Sequence, residues 1–126
     1  MSSQEPVRFS KTHEWIQPDG DYGIVGITDH AQEELGDVAL VLFPEVGMIV
    51  RAGEKFGEIE SIKAVSDLYA PVSGEIAAVN EKLLQAPEMV NDDPETDGWM
   101  IRIKMSAPDE LDSLMDKAAY DAFLEE

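Results

Sequence analysis

The chain has no cysteine in 126 residues. That absence removes disulfides, thiolate metal sites, cysteine nucleophiles and CxxC redox pairs together, so any sulfur redox chemistry has to come from a cofactor. Basic residues are scarce as well: 9 stand against 27 acidic ones, for a formal net charge of −18. A surface of that sign repels phosphate backbones and anionic headgroups, which excludes nucleic acid and an anionic membrane surface as partners. No long apolar run exists. The longest, Val38 to Phe43, is far short of a membrane span, and Met1-Ser2-Ser3-Gln4-Glu5-Pro6 has neither a signal h-region nor an Arg-rich transit pattern. A cytoplasmic protein is expected. There is no Gly-Lys-Ser or Gly-Lys-Thr to cradle a phosphate, and the two histidines, His13 and His30, belong to no HExxH or Ser-His-Asp pattern. Asp93-Pro94-Glu95-Thr96-Asp97-Gly98 opens like a calcium loop, but its twelfth position is Lys104 where a bidentate Glu is needed, so no metal is expected. Counting alone leaves a paired-carboxylate hydrolase open, because so many acids guarantee some close pairs.

What is present reads as one folded domain over 1–126. Hydrophobic residues make up 44% of the chain and run through all of it, unlike the composition of a disordered acidic segment. Val7 to Phe9, Glu14 to Gln17 and Tyr22 to Ile27 read as an opening meander, with Trp15 in the core and Pro18-Asp19-Gly20-Asp21 as a turn. Gly20, Gly23 and Gly26 lack the start of a dinucleotide fingerprint and read as turn glycines. Thr28 and Asp29 can cap a short helix over His30 to Leu35, ended by Gly36, ahead of a strand over Val38 to Phe43. From Trp99 to Met105 the alternation puts Trp99, Ile101, Ile103 and Met105 on one face. The remaining helices are expected at the C-terminus. Ser106 and Asp109 form a capping-box pattern before Leu111, Leu114 and Met115, and Asp116 can cap a second helix bearing Tyr120, Phe123 and Leu124.

Residues 44–80 hold a loose internal repeat. Val46-Gly47, Val50, Gly53-Glu54 and Phe56-Gly57-Glu58-Ile59 are echoed by Val72-Ser73-Gly74-Glu75-Ile76 and Val79, as two β-arms joined near Lys63. Phe56, Ile59, Ile62 and Val65 are three apart and fit a helix equally well, but the glycines at 53 and 57 favour β. A lysine among acids is ordinarily a solvated surface residue. At a hairpin tip it becomes one amine held away from the body on a four-carbon stem, a geometry suited to modification by a ligase.

On these residues the chain resembles the H-protein family of the glycine cleavage system. The matching runs are Lys11-Thr12-His13-Glu14-Trp15, Gly23 to Gln32, Leu42 to Gly47, Glu60-Ser61-Ile62-Lys63-Ala64, Ser66 to Glu75 and Asp97 to Ile101, and together they span about residues 7–126. The Ile27-Thr28-Asp29-His30-Ala31-Gln32 run separates this family from other lipoyl and biotinyl domains, which share only the lysine hairpin and its arms. Near residue 94 the chain departs from the family's usual Pro-Tyr with Pro94-Glu95-Thr96.

The resemblance implies a mainly β fold, a lipoyl/biotinyl-type barrel-sandwich hybrid with extra N-terminal strands and short C-terminal helices. Its lipoyl-type core would span about 22–105 and its helical appendix about 107–125. It implies lipoate in amide linkage to Lys63 and a carrier, not an enzyme. The arm would accept an aminomethyl group from glycine decarboxylase (P protein), present it to the aminomethyltransferase (T protein) for transfer to tetrahydrofolate, and be reoxidised by dihydrolipoamide dehydrogenase (L protein). By the same resemblance Glu60 and Gly74 help a lipoate ligase or lipoyl transferase read the hairpin, and Glu14, His30 and Asp67 form a cleft for the loaded arm. An H-like protein used for lipoate relay, or a non-catalytic acidic adaptor, stays open as the alternative.

Overall fold

A computed structural model describes residues 6–125. The meander forms β1 (Arg8–Phe9), β2 (Glu14–Asp19) and β3 (Tyr22–Ile27). Helix α1 (Asp29–Leu35) follows, capped as its sequence dictates: the Thr28 side chain accepts from Ala31 N–H, and Gly36 closes it at φ 79°, where a side chain would strain the backbone. Then come β4 (Val38–Leu42), β5 (Ile49–Val50), β6 (Lys55–Ser61), β7 (Val65–Tyr69) and β8 (Gly74–Val79). Two single-turn helices, α2 (Lys82–Gln85) and α3 (Met89–Asp92), precede β9 (Ile101–Met105), a 3-10 helix (Pro108–Ser113) and α4 (Lys117–Leu124).

All strand pairings are antiparallel, in a six-stranded sheet of order β1-β2-β3-β9-β8-β5 and a three-stranded sheet of order β4-β6-β7. The inner faces of the two sheets meet over Ile16, Val25, Val41, Ile59, Ile76 and Ile103, each at most 1% exposed. The fold is mainly β, and the two facing sheets are consistent with the expected barrel-sandwich. A second apolar cluster lies on the outer face of the large sheet. There α4 covers the β1–β2 end, with Phe9, Trp15 and Tyr120 buried and the Phe9 and Tyr120 rings stacked at 4.6 Å.

Four expectations need correction. Gly23 and Gly26 are strand residues of β3, not turn residues; a Cβ at Gly26 would meet the Trp15 ring at 2.8 Å, so it is the close approach of that ring that requires glycine. Trp99 lies outside β9 and joins the second cluster, while Met100 is the residue buried in the main core. Ser106 caps nothing: the following helix is 3-10, starts at Pro108 and has no side-chain cap, and Met115 instead pairs with Phe9 as a β-bridge. Finally, α2 and α3 lie outside the C-terminal region where the helices were expected; four residues are too few to display a helical period.

Candidate functional site

The hairpin of β6 and β7 turns at Ser61-Ile62-Lys63-Ala64. Ser61 N–H donates to Ala64 O at 2.8 Å, and the Ser61 hydroxyl oxygen accepts from Lys63 N–H at 3.2 Å and Ala64 N–H at 3.1 Å. One serine side chain thus satisfies two backbone donors that a tight turn leaves without ladder partners. Ile62 N–H donates to Asp37 O at 3.0 Å and tethers the tip to the start of β4. Lys63 itself is exposed, and its amine makes no hydrogen bond or ion pair among the described residues. Its stem passes over the backbone at Gly36, where an added Cβ would stand 3.2 Å from Lys63 Cε. The tip therefore presents a free, solvated amine, which is what acylation of a lysine requires. The residues present fit an amide-linked arm.

Glu14, at the start of β2, is only 2% exposed. The Ser10 hydroxyl donates to its Oε1 at 2.7 Å, the Thr12 hydroxyl donates to the same oxygen, and Tyr69 N–H donates to Oε2 at 3.0 Å. Burial pushes this carboxyl above the ordinary carboxylate range, while those hydrogen bonds pull it back toward ionisation. It ties β2 to the end of β7. Beside it opens a cleft of about 300 Å³ lined by Ser10, Thr12, Gly53, Tyr69, Pro71 and Leu114, among others.

Asp67 stands on the outer face of the small sheet, 3.2 Å from Lys55 Nζ, and accepts a long 3.5 Å bond from the Tyr69 hydroxyl. His30, on α1, faces His13 with ring centroids 4.8 Å apart. No hydrogen bond, ion pair or ring contact joins Glu14, His30 and Asp67 to one another among the described residues, although Glu14 and Asp67 both bond to Tyr69. Glu60 lies on β6 beside Val65 and Leu40, and it has no ion pair among the described residues. Gly74 is a strand residue of β8, in the large sheet opposite Val50 and Met105, where a Cβ would collide with the Lys104 carbonyl oxygen.

Several participants were not singled out from the sequence. Ser10 and Thr12 alternate with Glu14 along the approach to β2, a spacing that could have been noticed, whereas Tyr69 reaches Glu14 only through its backbone. His13 adopts φ 72°, a left-handed conformation that histidine adopts more readily than most side chains. Its Nδ1 is hydrogen-bonded to the Tyr120 hydroxyl at 2.8 Å, and that hydroxyl meets Thr28 Oγ1 at 2.7 Å, so α4 is joined to the cap of α1. Where the chain has Glu95, its carboxylate accepts from Asp29 N–H at 2.9 Å, and the carbonyl of Pro94 accepts from Trp15 Nε1 at 2.9 Å.

A family model described as Glycine cleavage H-protein matches residues 7–126. Among proteins similar to this chain, the glycine cleavage system H protein of Phenylobacterium zucineum is 56% identical over 118 residues, covering 94% of this chain and 98% of that protein. That of Anaeromyxobacter dehalogenans is 52% identical over 126 residues, covering 100% of this chain and 98% of that protein. The crystal structure of a glycine cleavage system H protein from Mycobacterium marinum superposes with a TM-score of 0.87 at 38% identity, over 95% of this chain and 97% of that one.

Proposed function

The chain belongs to the glycine cleavage H-protein family, the lipoyl-carrying component of that system and not itself a catalyst, and from this premise we propose that Lys63 bears lipoate through an amide at Nζ. The observation that carries the proposal is the unpaired, exposed amine at the tip of a serine-pinned hairpin. When bound, the lipoyl group supplies reversible dithiol–disulfide chemistry for carrying an aminomethyl group between the P, T and L proteins.

Lys63 supplies reach. Lysine and lipoyl chain together span roughly 12–14 Å of single bonds, so the tip sets the centre of a sphere within which docked active sites must lie. Ser61 and the Ile62–Asp37 contact hold that centre fixed relative to the small sheet. Glu60 serves in recognition by the lipoate ligase or lipoyl transferase, while Gly74 acts through the close strand approach that shapes the second arm. His30, Glu14 and Asp67 serve the loaded arm as flanking polar groups. The four steps from Val65 to Tyr69, at ~3.4 Å each, put the cleft beside Glu14 ~14 Å beyond the base of β7. A loaded arm that approaches this cleft would lie extended along the hairpin.

No helix among the described residues is long and apolar enough to cross a membrane; a bacterial cytoplasmic setting, where lipoate and the three enzymes are available, completes the reading. Intact mass and peptide mapping of the chain from lipoate-replete cells test it. Lys63 is expected to carry the lipoyl mass, and Lys63→Arg is expected to lose both that mass and all support of glycine decarboxylation. An unmodified Lys63, or an active Lys63→Arg variant, sinks the proposal.

A further inference from the structure

The outer face of the small sheet is unusual for a surface. Leu40 and Leu42 on β4 are 39% and 42% exposed, Val65 on β7 62%, and Ile62 at the tip 75%. The strand register places Leu40, Glu60 and Val65 in one row and Leu42, Glu58 and Asp67 in the next. Directly opposed residues share a face, and neighbouring strands lie ~4.8 Å apart, so these side chains form one contiguous patch beside Lys63. Val41 and Ile59, the pair between those two rows, are the ones turned into the core, so Leu40 and Leu42 are not misplaced core residues. The acids differ in their commitments. Glu58 and Asp67 share Lys55 at 2.9 and 3.2 Å, whereas Glu60 has no cation among the described residues and stands between two apolar neighbours.

We propose that this face, Leu40, Val65 and Ile62 around Glu60 with Leu42 beyond, is the docking surface for the enzyme that forms the Lys63 amide, and that this enzyme meets it with an apolar strip carrying one basic side chain. The inference rests on the reading of Lys63 as the acylated lysine. Charge complementarity specifies the basic group, since an unpaired carboxylate in an apolar frame gains most from a cation delivered as water is excluded. Reach specifies the occupant. A bare lysine amine ends only ~6 Å from its Cα, so an enzyme bringing an activated acyl carbon to it must cover the tip and the strands flanking it. Enzymes acting on the finished arm can stand ~12–14 Å away. The Ile62–Asp37 bond and the Val38–Ser61 pairing hold the start of β4 against the tip, placing Leu40 within the footprint of the first kind of enzyme.

With lipoate and ATP as the source, the lipoate carboxylate displaces pyrophosphate from the α-phosphorus of ATP, and the reacting species is the resulting lipoyl adenylate. The free amine of Lys63 attacks its carbonyl carbon, the C–N bond forms as the C–O bond to AMP breaks, AMP leaves with the electron pair, and one amine proton passes to solvent.

The test uses the full chain with a purified lipoate–protein ligase, lipoate and ATP, following intact mass at varied chain concentration. The Leu40→Ser/Val65→Ser double variant is expected to raise KM about tenfold with kcat near the parent value. Ile49→Ser removes an equally exposed apolar side chain at the far edge strand and is expected to stay within about twofold of the parent. Leu42→Ser and Val65→Ser singly should give intermediate values, and unfolding midpoints verify that each variant folds. Once loaded, the double variant should be reoxidised by dihydrolipoamide dehydrogenase with parent-like KM. A parent-like KM for lipoylation overturns the proposal. So does an equal loss in Ile49→Ser, or an equal KM rise for reoxidation, which would make the face a general one. Should the parent not be modified at Lys63, the reading of the lysine fails and takes this inference with it.

Discussion

Two residues next to each other in the chain have opposite acid–base environments. Glu14 is buried with three donors on its carboxylate, and Glu14→Ala would strand Tyr69 N–H and empty the space between β2 and β7. We expect a loss of about 2–4 kcal/mol in urea unfolding, with Glu14→Gln losing clearly less because it keeps the shape and one acceptor. His13 is held below the ordinary imidazole range, first by burial and then by His30, with Glu34 acting the other way. Because the folded chain takes up that proton only at lower pH than the unfolded chain, the His13 contribution to stability is full above about pH 6.5 and drains as pH falls toward the depressed value. The Glu14 contribution has the opposite sign: its raised value means a penalty that is present at neutral pH and lifts as pH falls through it. His13→Asn, which keeps a residue tolerant of positive φ, should therefore destabilise less at about pH 5.5 than at about pH 7.5 in paired urea titrations. Neither environment was legible in the residues themselves: the family resemblance places Glu14 at a cleft, but the spacing of His13-Glu14-Trp15 reads only as the approach to a strand. Burial and donor placement come from Ser10, Thr12 and the backbone at Tyr69, and the last has no residue-type signature.

Among the elements, the lysine hairpin was legible because turn chemistry and glycine placement are local. The single-turn helices α2 and α3 were not, since four residues hold no period. The segment after β9 shows the competition plainly: Ser106 and Asp109 satisfy a capping-box pattern, yet Pro108 starts a 3-10 helix and Met115 is taken by pairing with Phe9. Helix α4 is as expected, with Asp116 accepting from Ala119 N–H at 2.8 Å, but its reach to α1 through Tyr120 is a tertiary fact. Tyr120→Phe keeps the ring stacked on Phe9 and removes the hydroxyl shared by His13 and Thr28. The expected outcome is a loss of about 1–3 kcal/mol, with faster hydrogen exchange in the first turn of α1 and unchanged exchange in the β6–β7 hairpin. Equal acceleration in both would show that the effect is global rather than carried through the α4–α1 connection.

For the whole molecule the charge of −18 has a distribution. Residues 81–126 hold thirteen acids against four bases, half of the imbalance, in a region separate in sequence from the hairpin. Acylation of Lys63 would take the formal charge to −19. A field of that sign would accelerate encounter with partner enzymes that carry basic rims; if the P, T and L proteins do, their KM for the loaded chain should rise several-fold between about 50 and 200 mM salt. Salt-independent KM values would leave the charge as a solubility device.

The sequence by itself determined the chemistry the chain lacks, the family to which it belongs, the lysine hairpin and the caps of α1 and α4, because each depends on residue types a few positions apart or on long matching runs. Only the tertiary structure decided which polar groups are satisfied. It showed Glu14 sealed by donors from two other segments, Asp67 shared with Glu58 through Lys55, Glu60 without a cation among the described residues, and Gly26 and Gly74 required by neighbours on adjacent strands. The physical reason is that burial, pairing and close approach are properties of strands brought together across a sheet, and no spacing along a single strand encodes which partner will lie beside it.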